Sequence, residues 1–266
     1  SLHDALPIYS IPIIMKKSLV LGVIFFFLTI SWSCYTKPNN KKEVPILCYH
    51  NIKNFSAKAS PDVKAYTTTP KRFAEQMKAL YQNGYQTISP DELYQYLIHD
   101  KPLPPKPILI TFDDTRAEQF TLAVAEMNKY HFKGVFFIMT VSIGKPGYMT
   151  KNQIKILSQT GHTIGLHTWD HTAVTHYTEN DWNTQLIRPR KQLENLIGQP
   201  VDYFSYPFGL WNQNAISKLR VENFKLAFIL SSAKDKTHPE FTVRRKTIAG
   251  TWSTPTMLKV LQTTFH

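Results

Sequence analysis

Two kinds of hydrophobic pattern alternate along the chain from Val44 onward. Short, nearly uninterrupted apolar runs lie at 44–49, 108–112, 135–139, 163–166, 203–206 and 226–230. They read as parallel strands buried on both faces, because a strand covered by helices has no solvent side to keep polar. The segments between them carry the longer helical period. Phe73, Met77, Leu80 and Tyr81 fall at helical spacing and predict one helix face turned toward the sheet. Ser89-Pro90-Asp91-Glu92 and Thr150-Lys151-Asn152-Gln153 match the capping-box spacing that satisfies orphan backbone donors at a helix start. Pro189 interrupts a helical pattern running over 178–197 and predicts a kink or break there. Strand and helix in regular alternation predict a distorted (β/α) barrel, with a doubly wound open sheet as the other architecture the pattern allows.

The first residues carry a different signal. Met15-Lys16-Lys17 and the apolar stretch 19–30, with Phe25-Phe26-Phe27 inside it, have the charged and hydrophobic regions of an export signal. The stretch is short for a permanent membrane span. Residues 1–14 precede a natural-looking start at Met15 and are read as an upstream artefact. Cys34, behind Ser31-Trp32-Ser33, resembles the lipid-accepting cysteine of bacterial lipoproteins, and a polar tether follows it. The expected organisation is therefore 1–33 upstream residues and signal, 34–43 tether, and 44–266 one catalytic domain. An exported protein is implied, in the cell envelope or at the cell surface, with a membrane contact through lipid at Cys34.

Composition narrows the chemistry. The 266 residues, 42% of them hydrophobic, suit one barrel-sized core. Lys and Arg outnumber Asp and Glu by 31 to 19, giving +12, yet no basic run with interleaved aromatics marks a nucleic-acid surface. The excess fits an anionic envelope or polymer better. The two cysteines, Cys34 and Cys48, form no Cys-x-x-Cys pair, so a metal would have to be held by histidine and carboxylate.

Polar residues of the right kind stand where the predicted strands end: His50, Asp113, Asp114, His167 and Pro207-Phe208. In an α/β barrel the carboxyl ends of the strands build the site, so residues far apart in sequence converge there. Adjacent residues leaving a strand point different ways, which lets Asp113 and Asp114 take different roles, although such a pair also suits a helix start. His167 and His171, four residues apart, complete with one aspartate a two-imidazole, one-carboxylate set that leaves positions open on zinc or a similar divalent ion. His131, His162, His176 and His238 read as structural or solvated.

Thr111-Phe112-Asp113-Asp114, His167-Thr168-Trp169-Asp170-His171 and Tyr206-Pro207-Phe208-Gly209 resemble, in order and spacing, the first three motifs of the NodB-like polysaccharide deacetylases, carbohydrate esterase family 4. The segments Ile46-Leu47-Cys48-Tyr49-His50 and Tyr85-Gln86-Thr87-Ile88-Ser89 are similar to the branch that deacetylates biofilm poly-N-acetylglucosamine. The resemblance runs over about 44–245. It implies a distorted barrel of about seven strands and an acetylated polysaccharide as substrate. It implies Asp114, His167 and His171 as ligands of one divalent ion, with Zn2+ expected, and Asp113 as general base toward water. An oxyanion would be met at the Tyr206-Pro207-Phe208 turn, chiefly by the backbone N–H of Phe208. The late Leu-x-His motif that supplies the acid in many members is absent, and the biofilm branch implies His50 in that role. Two departures stand out: Thr115 replaces the usual Gly, and Ser205 the usual Arg that orients the catalytic carboxylate. Arg244 or Arg245, on a strand expected at 241–246, is the candidate replacement. Trp169, Trp211 and Trp252 are candidate faces for sugar stacking. The sequence also allows an esterase acting on O-acetylated xylan, or a glycan-binding protein that has lost catalysis.

Overall fold

The computed structural model describes residues 41–230 and 233–265. Cys34 and the stretch expected to be an export signal fall outside the described residues. Seven strands carry the architecture: β1 Ile46–Tyr49, β2 Pro107–Phe112, β3 Val135–Ile138, β4 Thr163–Leu166, β5 Tyr203–Ser205, β6 Leu226–Leu230 and β7 Val243–Thr247. Each pairs in parallel with the next, and β1 pairs with both β7 and β2. The ring therefore closes and the open-sheet alternative is excluded. A short strand, Gln86–Thr87, adds to the first residues of β2.

Closure explains the apolar runs. Ile46, Leu109, Val135, Phe137, Tyr203, Leu226 and Phe228 cluster in the bore, while their neighbours Leu47, Ile110, Phe136, Ile138, Phe204 and Ile229 join the helix core outside it. Both faces of β1 to β6 are buried along most of their length, and β7 buries only its inward Arg245, so polar side chains in the bore need partners. One step further toward the carboxyl ends, the inward series 46, 109, 203, 243 continues as Cys48, Thr111, Ser205 and Arg245. Polar chemistry begins at that level of the bore.

Both capping boxes form, Ser89 with Glu92 and Thr150 with Gln153. The helix Pro70–Gln82 buries Phe73, Met77 and Leu80, but Tyr81 is 56% exposed. It lies one position past the buried stripe and packs on Tyr130 instead, with ring centroids 5.2 Å apart. The break expected at Pro189 is a π-helical turn, Asn183–Ile187, placed one turn earlier, with Pro189 in the first turn of the following helix Arg188–Ile197. Strand β3 stops a residue earlier than expected because the Met139 N–H is taken by the Thr115 hydroxyl at 2.7 Å. The late strand starts at Val243 because Pro239–Phe241 form a 3-10 turn.

Candidate active site

The strand-end residues converge. His50 follows β1, Asp113 and Asp114 follow β2, His167 follows β4 and Phe208 follows β5, and all five line one cleft of about 370 Å³ together with His171, Tyr66, Arg116 and Leu230. The backbone there is strained. Eight non-glycine residues have positive φ among the described residues, and five of them are Asp114, Thr115, Thr168, His171 and Phe208. Thr115, at φ 64°, occupies a conformation that glycine adopts freely and a β-branched residue avoids. Its fully buried hydroxyl compensates by accepting the Met139 N–H.

Asp114, His167 and His171 bring their ligand atoms within 4.8 Å of one another. Asp114 Oδ1 is 3.6 Å from Nε2 of each histidine. His167 Nδ1 lies 2.8 Å from the carbonyl of Ser205. A carbonyl only accepts, so Nδ1 carries the proton and Nε2 presents its lone pair. That Nε2 is buried with no hydrogen-bond partner, the arrangement expected of a ligand whose cation is to be supplied. Burial alone would push the His167 pKa down, but the carboxylates of Asp113 and Asp114 reverse this and raise it. A field that attracts a proton attracts any cation. Burial, then His167, lowers His171 to about 4, leaving its imidazole neutral. Burial opposes ionisation of Asp114, but His167 draws its carboxyl down to about 2. The donor set fits a divalent ion. Cys48, His50 and Asp113 are similarly close, but burial pushes the Cys48 thiol well up and the Asp113 charge is already paired with the Arg245 guanidinium, so that trio does not fit one.

Asp113 is gripped by Arg245. Nη1 donates to Oδ1 at 2.7 Å and Nη2 to Oδ2 at 2.8 Å, a fork matched to the carboxylate. Nη2 also donates to Ser205 Oγ at 2.7 Å, and that hydroxyl donates to Asp113 Oδ2 at 3.2 Å. The guanidinium is 1% exposed and lies 5.2 Å from the Phe137 ring centroid and 5.9 Å from that of Phe228. Burial favours a neutral Asp113, but Arg245 and then His167 hold its carboxyl far below the usual range. Of the two candidate arginines only Arg245 reaches the carboxylate. Strand alternation sends Arg244 outward, to Glu43 and the Thr264 carbonyl.

His50 is buried, its Nδ1 has no partner, and Tyr66 meets its ring edge-on at 4.9 Å. Burial holds its pKa below the ordinary value, with Asp113 and Asp114 partly offsetting this. Gln119 was not anticipated from the sequence. It is fully buried on the π-helical turn Gln119–Ala123, and its side-chain amide donates to the carbonyls of both His50 (2.8 Å) and Asp113 (2.5 Å). The only signal was an amide among apolar positions. Tyr206, expected on the substrate side, is fully buried against Phe204 at 5.1 Å, and Pro207 is also buried. Phe208 alone of that turn faces the cleft. The close approach of Gly209 to Leu230 fixes the turn, since a Cβ there would lie 2.5 Å from the Leu230 nitrogen. None of Trp169, Trp211 and Trp252 lines the cleft.

A family model described as polysaccharide deacetylase matches residues 100–227. YxkH of Bacillus subtilis, which carries the polysaccharide deacetylase designation, is 30% identical over 194 residues, covering 73% of this chain and 67% of YxkH. The poly-beta-1,6-N-acetyl-D-glucosamine N-deacetylase of Staphylococcus epidermidis is 22% identical over 64% of each chain. Among solved structures, the Streptococcus pyogenes deacetylase PplD in complex with acetate shares the fold, with a TM-score of 0.73 and 23% identity over 82% of this chain and 98% of PplD. With 30% identity to YxkH over two thirds of that protein's length, the chain belongs to the polysaccharide deacetylase family.

Proposed function

We propose that this deacetylase is metal-dependent and removes N-acetyl groups from a polysaccharide of the N-acetylglucosamine type, as an exported protein of the cell envelope held by lipid at Cys34. One observation carries the reading: the buried, partnerless Nε2 of His167 shares its space with Asp114 and His171, beside a second carboxylate whose charge is fixed. The substrate class is supported by the name of the Staphylococcus epidermidis relative, and the location by the signal-like pattern before Cys34.

A divalent ion held by Asp114, His167 and His171, with Zn2+ favoured by that donor set, would supply Lewis acidity to the acetyl carbonyl and to water. Asp113, ionised throughout the physiological range and oriented by Arg245, accepts the proton of the attacking water. The backbone N–H of Phe208 donates to the oxyanion as it develops. His50, packed under Tyr66 at the cleft wall, hands a proton to the departing amine nitrogen. Gln119 keeps the acid and base strands in register by holding both carbonyls.

Acetate release from β-1,6-linked N-acetylglucosamine polymer, peptidoglycan, chitin oligomers and acetylated xylan tests this. Release from an N-acetylated substrate, lost with chelator and restored by Zn2+, is expected. Release only from xylan would identify an esterase, and release indifferent to chelator would refute metal dependence. His50→Asn should abolish turnover with metal content unchanged, and mass spectrometry of the membrane-extracted N-terminus tests lipidation.

A further inference from the structure

The amino end of the barrel, opposite the catalytic cleft, holds a second opening. A groove of about 480 Å³ lies there between the segment entering β1, the connection into β2 and the last helix, Thr254–Thr264. It falls on the seam between the two hydrophobic clusters. Leu258, Leu261 and Phe265 line it from the outer core, and Val44, Tyr96 and Leu103 from the cluster that fills the bore. Protein interiors are close-packed, so a gap of this size between two cores leaves apolar walls without partner atoms. Pro104, Pro105 and Pro107, from the connection into β2, add to the wall. Their rings stiffen it against collapse and remove three backbone donors, so the wall is open and dry in character.

The rim of the groove is cationic. Glu43, the one acid of the lining among the described residues, is neutralised by Lys234 at 2.5 Å and by Arg244 Nε at 3.1 Å. Lys106 gives one of its three N–H donors to the Asn83 carbonyl at 2.8 Å. Lys42 is exposed, and its ammonium has no ion-pair partner among the described residues, while its carbonyl accepts the Tyr96 hydroxyl at 3.1 Å. An apolar well under uncompensated positive charge matches a molecule with an apolar tail and an anionic head. A tail alone would leave both ammonium groups idle, and a phosphate alone would leave the walls wet. Mostly apolar pockets of about 300–1,000 Å³ with a few placed charges are the usual form of a ligand site. We propose that the groove takes an acyl chain of an anionic membrane phospholipid, with Lys42 and Lys106 on its phosphate. The barrel would then sit on the membrane by its amino end, with the catalytic cleft turned away from the lipid. Nothing in this depends on the metal or on acetyl removal.

Methyl NMR of the full chain with dodecyl phosphate, kept below its micelle concentration, tests the groove. Saturable shifts at Leu103, Leu258 and Leu261 are expected, with Leu230 in the catalytic cleft unmoved. Dodecyltrimethylammonium has the same tail and the opposite head, and inorganic phosphate the head without the tail. Each should bind about tenfold more weakly or worse. Lys42→Glu should weaken dodecyl phosphate about tenfold, and Leu103→Trp, which fills the groove, should abolish the shifts. Circular dichroism of each variant reports folding, and every variant keeps residues 1–40, so any binding by that stretch is common to all. In nanodiscs of phosphatidylglycerol spin-labelled at the end of an acyl chain, the same three methyls should broaden in the parent and stay sharp in Leu103→Trp. Groove methyls that do not respond to dodecyl phosphate, equal binding of the cationic amphiphile, or unaltered binding by Lys42→Glu would each overturn the proposal. So would a groove that takes dodecyl phosphate yet shows no broadening in the nanodiscs.

Discussion

The Asp113 carboxylate lies where water cannot solvate it, and its stability depends on one guanidinium. Arg245→Met should cost about 3–5 kcal/mol in urea unfolding, because an uncompensated charge stays buried. Acetate release should fall with it. Arg244→Ala removes a partly exposed pair and should cost about 0–1 kcal/mol with turnover intact. Equal melting of the two variants would contradict the assignment. Thr115→Val keeps the shape and the strained φ but orphans the Met139 N–H, so a loss of about 1–3 kcal/mol is expected. At this scale much of the site was legible. Asp113, Asp114, His167, His171 and His50 were marked by chemistry at strand ends, and the replacement of Arg by Ser205 signalled that a charge must come from elsewhere. Choosing Arg245 over Arg244 needed the strand phase. A boundary error of one or two residues at β7 leaves that phase open.

Among the elements, strands were readable because double burial leaves continuous apolar runs, and helix starts because capping chemistry is local. The π-helical turns had no such signature. Gln119 sits on one of them, where an extra residue in the turn aims a side chain that a regular helix would direct elsewhere. Tyr206 was misread because Tyr-Pro-Phe-Gly does not say which of its rings faces inward. Packing between strands is sharpest at Gly165 of β4, whose absent side chain makes room for Phe137 of β3. A Cβ at Gly165 would lie 2.5 Å from that ring. Gly165→Ala should therefore displace Phe137 from the Arg245 guanidinium, costing about 1–3 kcal/mol and lowering turnover. Full activity with unchanged melting would show that the ring has room to move.

For the whole molecule, acid stability has a source away from the site. His162 accepts the Gly134 N–H at 3.0 Å through Nδ1, and burial lowers its pKa from 6.5 to about 4. The unfolded chain protonates first as pH falls. The contribution is therefore complete above about pH 6.5, declines toward about pH 4 and is flat below, a total of up to about 3 kcal/mol. Urea midpoints across this range should fall less steeply for His162→Asn, whose amide can accept the same N–H without titrating. Parallel slopes would assign the acid sensitivity to another group. Ion binding should also couple to folding. At a Zn2+ concentration of roughly 100 times its dissociation constant the gain is about 2.7 kcal/mol. Chelation should lower the Tm of the parent and leave that of His171→Ala unmoved.

The fork between Asp113 and Arg245 joins groups 132 positions apart, at nearly opposite ends of the barrel sequence. During synthesis the second strand emerges long before the seventh, so the acid waits, solvated and misaligned, until its guanidinium arrives. On the proposed mechanism, chemical competence is consequently a property of the finished ring alone. A nascent or clipped chain that had already gathered Asp114 and both imidazoles would, on that mechanism, still lack its oriented proton acceptor and leave acetyl groups uncut until assembly was complete.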